Sequence, residues 1–239
     1  MDLLSFEQQI LGNSVDLSAL DAADPIKTRE DIRLEWLHSR RGKFTASEFY
    51  RLVTTPAKDE LPKGALTYVA EKAAESLADI DETDKFVSID MQWGLDHEIE
   101  AIELFTQRTG LKVDRTGDGQ QLITMGDHIG CTPDGLIGKH SGLEIKCPKS
   151  KTHLQYSLMQ STQDLKDCMP DYYWQIQGSL YITGRKNWHF ASYDPRFYQF
   201  KHKMKLLYVK RNEKDISFLA RRLELAIEHK LKLIDAINQ

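Results

Sequence analysis

The chain has 239 residues, 41% of them hydrophobic, and a formal net charge of −4. This length and composition suit one large globular domain, and the negative charge argues against an indiscriminate nucleic-acid coat, although a local basic face can still guide a polyanion. No segment approaches the roughly 20 apolar residues of a membrane span, and no signal-peptide pattern opens the chain. Three scattered cysteines predict neither disulfides nor a four-thiolate cluster, so we expect a cytoplasmic protein without membrane contact.

The first part of the chain has a mainly helical pattern. We interpret the weakly patterned residues 1–28 as an N-terminal arm. Residues 29–53 predict two helices separated by a turn at Arg41-Gly42, and residues 54–64 predict a loop. The run ALTYVAEKAAESLADI predicts a further helix, because it is rich in strong helix formers.

Residues 92–110 predict an amphipathic helix that carries a charge on its apolar side. At about 100° per residue, one side of this helix holds an apolar stripe formed by Leu95, Ile99, Ile102 and Phe105. Glu98 falls within that stripe. A carboxylate there either lies at the edge of the stripe and pairs with a base, or serves a functional site, and the helical pattern leaves both open.

Short β-type runs interrupted by Gly and Asp occupy residues 111–147 and are typical of hairpin strands. GLIG and GLEIKC flank the turn KHS, so residues 135–147 predict two adjacent antiparallel strands. A helix in DYYWQIQGSLYITG, a strand in NWHFASYDP and a C-terminal helical segment over residues 201–239 follow. This order predicts a single α/β (α+β) domain over residues 1–239, with a core over residues 29–200 and a central mixed sheet flanked by helices.

The predicted hairpin brings unusual charges together. Glu144 and Lys146 point to the same face of a strand, because residues two apart share a face, and Asp134 before the preceding strand can reach the same spot. Two carboxylates suit Mg²⁺ or Mn²⁺, with the Ile145 carbonyl as a further ligand, whereas the alternative is a salt bridge on an exposed strand face. The eight histidines show no ligand spacing, and we interpret His153 as solvated.

The block TPDGLIGKHSGLEIKCP (132–148) resembles the metal-binding hairpin of the lambda exonuclease family, the YqaJ-like viral recombinase branch of the PD-(D/E)xK nucleases. The resemblance continues in the same order through EWLHSRRGKFTASE (35–48), QWGLDHE (92–98) and WQIQGSLYITGRKNWHFASYDPR (174–196). Four ordered blocks are far more specific than one short motif. They imply a restriction-endonuclease-like core.

The resemblance assigns roles to the residues of the hairpin and of the preceding helix. It implies that Asp134, Glu144 and the Ile145 carbonyl are metal ligands and that Lys146 is the catalytic lysine. It also implies that Glu98 is the helix-borne acid that assists the metals, which agrees with its place on an apolar stripe.

A second group of residues resembles the DNA-binding pocket of the family. Arg40 matches the arginine that receives the 5′-phosphate of DNA, with Ser47 nearby and Thr132 in place of a serine. Gln177 matches a glutamine beside the scissile phosphate, although Gly178 follows it where a larger residue is expected. From the residues alone, Arg40 could instead cap a helix end, and Gln177 could be a buried amide satisfied by the backbone.

The resemblance implies a Mg²⁺-dependent exonuclease, with Mn²⁺ as a substitute, that degrades one strand of linear duplex DNA from 5′-phosphorylated ends. The products would be nucleotides and 3′ single-stranded tails for phage-type recombination. A homotrimer, a single-strand annealing protein as partner and the cytoplasm of a bacterial host are implied as well. The alternatives are an endonuclease of restriction or repair type, since metal chemistry alone does not choose between ends and interiors, and a DNA-binding module without turnover.

Overall fold

The computed structural model describes residues 28–55, 60–78 and 88–239. The chain divides into two units, Met1–Glu35 and Trp36–Gln239, and every site discussed below lies in the second. Residues 1–27 of the predicted arm and residues 56–59 of the predicted loop lie outside the described residues. The division into arm, core and C-terminal segment therefore stays a prediction.

The described elements largely follow the predicted order. The α-helices are α1 (Arg29–Arg40), α2 (Lys63–Leu77), α3 (Ile89–Thr109), α4 (Ser150–Leu158), α5 (Thr162–Cys168), α6 (Pro170–Thr183) and α7 (Glu213–Ile237). The strands are β1 (Phe44–Thr45), β2 (Ile123–Met125), β3 (Ile129–Cys131), β4 (Gly135–Ile137), β5 (Ser141–Lys146), β6 (Asn187–Tyr193) and β7 (Met204–Lys210). Short 3₁₀ helices span Ala46–Leu52, Gly117–Gly119 and Phe200–His202. Among the described helices, none is long and apolar enough to cross a membrane.

Two sheets organise the fold. The larger has the order β4-β5-β6-β7, with β5 and β6 parallel and the two outer pairs antiparallel. In the smaller, β3 lies between β1 and β2. The predicted hairpin is confirmed, since Gly135 pairs with Leu143 and Ile137 pairs with Ser141. The predicted mixed sheet with flanking helices is confirmed as well.

The C-terminal segment is not helical throughout, so that part of the prediction is wrong. Met204–Lys210 form β7, the edge strand of the larger sheet, and only α7 has the predicted helical pattern. Leu207 and Val209 are buried, whereas Tyr208 between them is half-exposed. This alternation is typical of a strand with one buried face, and it depends on pairing with β6.

Each face of the larger sheet has its own apolar core. Leu143 and Ile145 of β5 pack with Phe105 of α3 on one face. Phe190 of β6 belongs to a second cluster that includes apolar residues of α6 and α7. Glu144 pairs with Phe190 across β5 and β6, so its side chain enters the second layer, between the sheet and α6.

The helix that carries Glu98 forms as predicted, but its apolar stripe is not buried along its whole length. Ile102 and Phe105 are buried, whereas Leu95 and Ile99 are about half-exposed. Only the C-terminal half of α3 therefore packs on the sheet. The N-terminal half extends the helix past this core, and Glu98 lies where the two halves meet.

Close packing explains the glycine that departs from the family pattern. A Cβ atom added at Gly178 in α6 would lie 2.3 Å from a ring atom of Phe49, which belongs to the 3₁₀ helix Ala46–Leu52. Such a separation is far inside van der Waals contact, so a larger residue would force the two helices apart. Gly178 thus permits α6 to approach the segment that carries Ser47.

Candidate active site

The β4–β5 hairpin fixes the position of Asp134. Asp134 precedes β4, and its Oδ2 accepts a hydrogen bond from the backbone N–H of Ile145 at 2.6 Å. This bond ties the carboxylate to the strand that carries Glu144 and Lys146. The structure therefore brings together the three residues that the sequence motif predicts.

Glu144 is fully buried, and its two oxygens have different surroundings. Oε1 accepts hydrogen bonds from Lys146 Nζ and from Gln175 Nε2, each at 2.6 Å. Oε2 is buried and has no hydrogen-bond partner within the described part of the chain. A buried acceptor without a partner is costly, so this oxygen is available to a ligand that brings positive charge.

The electrostatics of the cluster follow from burial and mutual repulsion. Burial and the neighbouring Asp134 raise the pKa of Glu144 to about 8 and that of Glu98 to about 7. Burial also raises the pKa of Asp134. Burial alone would lower the pKa of Lys146, but Glu144 and Asp134 outweigh it and the pKa is raised, so the lysine is an ammonium. Three carboxyl groups thus share one cation, and the site lacks positive charge.

Glu98 enters the cluster from α3 and is oriented by a residue that the sequence did not single out. The side-chain amide of Gln120 donates a hydrogen bond to Glu98 Oε1 at 2.6 Å. Gln120 follows the 3₁₀ helix Gly117–Gly119, in a stretch without periodic signal. Its role depends on how the chain returns past α3, which no local pattern encodes.

Gln177 is not brought to the carboxylates. It is fully buried, its Nε2 donates to the backbone oxygen of Lys210, and its Oε1 accepts from the backbone N–H of Asn212. The amide therefore bridges the end of β7 and the start of α7. Residues two apart in a helix point about 200° apart, and Gln175 is the residue of α6 that faces Glu144. The sequence assignment to Gln177 is corrected accordingly, and the QIQ pattern was the signal that could have indicated both glutamines.

Arg40, Ser47 and Thr132 come together as the resemblance implied. Arg40 Nη2 donates to Thr45 Oγ1 at 3.1 Å and to Ser47 Oγ at 3.2 Å. The guanidinium carbon lies 4.2 Å from the ring centroid of Trp36, whose Nε1 donates to Thr132 Oγ1 at 3.2 Å. The result is a guanidinium stacked on an aromatic ring and surrounded by hydroxyl groups, an arrangement suited to a phosphate.

A small cavity of about 30 Å³ opens at this guanidinium, and we call it the Arg40 pocket. It is lined by Arg40, Thr45, Ala46, Ser47, Thr132, Gln175 and Ser179. Gln175 also donates to Glu144, so one side chain forms a wall of the Arg40 pocket and contacts the buried carboxylate. The two parts of the site are therefore direct neighbours.

The chemistry of the donors fits a divalent cation. Within the described residues, no group of three or more His, Cys, Asp or Glu side chains that could hold a metal ion is formed. Asp134, Glu144 and the Ile145 carbonyl nevertheless supply oxygen donors, and Mg²⁺ ordinarily combines one or two carboxylates with water and substrate phosphate. The unpartnered Oε2 of Glu144 and the deficit of positive charge both favour a cation at this place.

His153 has a structural role instead of the predicted solvent exposure. Its ring is buried, with Nδ1 2.7 Å from Ser192 Oγ and Nε2 2.8 Å from the backbone oxygen of His202. Burial lowers its pKa, so the ring is neutral; its Nε2–H donates to the backbone oxygen of His202, and its Nδ1 accepts from the Ser192 hydroxyl.

A mixed sheet with Asp134 before one strand and Glu144 and Lys146 on the next defines a PD-(D/E)xK nuclease. Residues 35–186 match the model of the YqaJ-like viral recombinase domain, and the chain belongs to this family. The matched span begins with the first block of the sequence resemblance and ends within the last one, 174–196. No curated protein matches the chain.

Solved structures give the same result. An alkaline exonuclease from Laribacter hongkongensis is 27% identical, with a TM-score of 0.69 over 86% of this chain and 96% of that chain. A structure of the same exonuclease in complex with dAMP also matches at 27% sequence identity, with a TM-score of 0.69, and the match covers 85% of this chain and 95% of that chain. A phage-related exonuclease from Haemophilus somnus 129PT, 14% identical over 82% of this chain and 96% of that chain, shares the fold with a TM-score of 0.67.

Proposed function

We propose that the protein is a Mg²⁺-dependent exonuclease that degrades linear double-stranded DNA from 5′-phosphorylated ends in the 5′-to-3′ direction. The observation that carries this proposal is Gln175, which lines the Arg40 pocket and donates to Glu144 at 2.6 Å. Membership in the YqaJ-like family and the likeness to an alkaline exonuclease support exonuclease chemistry.

The neighbouring positions of the two parts support cleavage at a strand end, and the family resemblance supplies the polarity. An anion held by Arg40 and the surrounding hydroxyl groups would be a terminal phosphate, because only a strand end offers a phosphate without a further nucleotide beyond it, and by the family resemblance it would be the 5′-phosphate. The next phosphate along that strand would then lie at Glu144 and Lys146. Cleavage there releases a nucleoside monophosphate, the class of molecule bound in the dAMP complex of the Laribacter hongkongensis enzyme.

Each residue of the cluster has a distinct task in hydrolysis. Mg²⁺, or Mn²⁺ in its place, held by Asp134, Glu144 and the Ile145 carbonyl, would neutralise phosphate charge and lower the pKa of the attacking water. Lys146 is an ammonium beside the phosphate position and stabilises the negative charge that develops on its oxygens. Gln175 orients Glu144, and Gln120 orients Glu98 beside the other carboxylates.

The biological setting follows from the family. A viral recombinase that leaves 3′ single-stranded tails would deliver them to a single-strand annealing protein inside a bacterial host cell. A homotrimeric ring around the DNA would keep the enzyme linked to its product strand. These points rest on the family resemblance alone.

The test is digestion of linear duplexes labelled at their 3′ ends. One duplex has 5′-phosphate termini, a second has 5′-hydroxyl termini, and a covalently closed circle serves as the third substrate, each with Mg²⁺ and with EDTA. We expect the phosphorylated strand to shorten from its 5′ end, the circle to stay intact, and EDTA to stop the reaction. Cleavage of the circle would make the protein an endonuclease, and no cleavage of any substrate would leave a DNA-binding module.

A further inference from the structure

The loop between β6 and β7, residues 194–203, begins at the same end of the sheet as the catalytic cluster. We call it the β6–β7 loop. Ser192 of β6 pairs with Lys146 of β5, so β6 ends beside the lysine and the loop leaves the sheet there. The side chains of this loop therefore lie at the end of the sheet that carries the catalytic cluster.

Three side chains from outside the tip hold the backbone of the loop. Arg108 of α3 donates to the backbone oxygens of Met204, at 2.9 Å, and of Phe200. His153 contacts the backbone oxygen of His202 at 2.8 Å. At the start of the loop, Oδ1 of the fully buried Asp194 accepts a hydrogen bond from the backbone N–H of Arg196 at 3.0 Å. The loop is thus anchored at its start, middle and end.

The anchored loop presents aromatic rings to solvent. Tyr198 is fully exposed, and Phe200 is 56% exposed. A flexible loop could fold such rings back onto the protein, but Asp194 holds the backbone before Tyr198 and Arg108 and His153 hold it from Phe200 onward. The loop therefore exposes apolar ring surface that the domain itself leaves uncovered.

The loop segment itself carries an excess of positive charge. Residues 194–205 contain Arg196, Lys201, Lys203 and Lys205 against one acid, Asp194, which is bonded to Arg196. From neighbouring helices, Glu100 lies near Lys203 and Asp164 lies near Lys205. Exposed aromatic rings between cations are the combination that binds single-stranded nucleic acid, because bases stack on the rings while the cations contact the phosphates. A duplex offers no free base face along its length, whereas the 3′ tail left by the proposed reaction does.

We propose that the β6–β7 loop binds the single-stranded 3′ tail, with Tyr198 stacked on an unpaired base and Lys201 and Lys203 near the tail phosphates. This inference rests on the proposed function, since it is that reaction which creates the tail. It assigns to the loop a second DNA contact outside the Arg40 pocket, one that strengthens as the tail appears.

The experiment compares the affinity for a blunt duplex with that for a duplex carrying a 3′ tail, by fluorescence anisotropy in EDTA. Tyr198→Ala should lose about tenfold or more of the affinity for the tailed duplex, in the range that base stacking on aromatic side chains provides. Its affinity for the blunt duplex should stay unchanged, and Tyr198→Phe should keep the preference for the tail. Replacing Lys201 and Lys203 by Gln should reduce the salt dependence of tail binding by about one phosphate contact each.

Tyr208→Ala is the control, because Tyr208 is a second exposed tyrosine, half-exposed where Tyr198 is fully exposed, and lies toward the end of β7 that is farther from the loop. An unchanged tail preference in Tyr198→Ala, or an equal loss in Tyr208→Ala, would overturn the inference. A Tyr198→Ala variant whose sedimenting mass changes while its preference for the tailed duplex does not would also overturn the inference, because the loop would then be a contact between copies of the chain. Cleavage by the wild-type protein is measured in parallel with Mg²⁺, and its absence would refute the proposed function. If Tyr198→Ala cleaves DNA but keeps its preference for the tailed duplex, only the role of the loop is refuted.

Discussion

Replacing Glu144 by Gln should stabilise the metal-free protein at high pH while it abolishes cleavage. The pKa of Glu144 is raised from its ordinary value of 4.5 to about 8 by burial and by Asp134. The folded state therefore holds the proton more tightly than the unfolded state, and the free energy of unfolding falls as pH rises from about 4.5 to about 8. Because Gln cannot ionise, the contribution of this position to the free energy of unfolding does not fall with pH in the variant.

The slope of the stability difference is the quantity to measure. One proton bound more in the folded state corresponds to about 1.4 kcal/mol per pH unit. The free energy of unfolding of Glu144→Gln relative to wild type should therefore rise with pH across this interval, by at most this amount per unit. The attraction of Lys146 is already part of the raised pKa of Glu144, so the ion pair adds no separate pH-dependent contribution.

The assay is urea denaturation at four pH values between 5 and 8, with EDTA present. Glu228→Gln is the control, because that carboxylate is exposed and pairs with Lys232 at 2.6 Å on the surface of α7. Adding Mg²⁺ should then stabilise wild type, since a ligand of the folded state shifts unfolding, and should do so less in Glu144→Gln. Parallel pH curves for wild type and variant would refute the electrostatic account of the cluster.

Three further substitutions test separate parts of the structure. Lys146→Ala should reduce cleavage at least a hundredfold while DNA binding, measured in EDTA, persists; retained cleavage would remove this lysine from the mechanism. Arg40→Ala should erase the rate preference for 5′-phosphate over 5′-hydroxyl ends, and an unchanged preference would place the pocket elsewhere. Gly178→Ala should destabilise the fold by about 1–3 kcal/mol, because its Cβ would meet Phe49 at 2.3 Å. The control Gly94→Ala, in α3 with nothing within 4 Å, should be stabilising by about 0.5–1 kcal/mol in the same denaturation assay, and an equal effect of both changes would contradict the packing argument.

Local patterns in the sequence were sufficient for the hairpin and its charges. Because side chains alternate along a strand, Glu144 and Lys146 lie on one face of β5. The turn at KHS pairs β4 with β5 and so brings Asp134, which precedes β4, close to both. The family resemblance over the four blocks was also correct, and it located Arg40 and Thr132 in one pocket although 92 positions separate them.

Other residues of the site needed the folded chain. Gln175 and Gln177 both lie on α6 and differ only in direction, and it is the packing of α6 on the sheet that turns Gln175 toward Glu144. Gln120 is near Glu98 because the chain returns past α3 after the turn at Gly110. No periodicity within either segment contains this information.

The sequence by itself therefore determined the β4–β5 hairpin, the helices α3 and α6, the face on which Glu144 and Lys146 lie, and the family. The tertiary structure alone decided which β-strand forms the edge at Met204–Lys210, how far α3 is buried, and which glutamine contacts the carboxylates. The physical reason is that secondary structure and side-chain direction follow from interactions between residues close in sequence, whereas burial and contact depend on how helices and strands distant in sequence pack against one another.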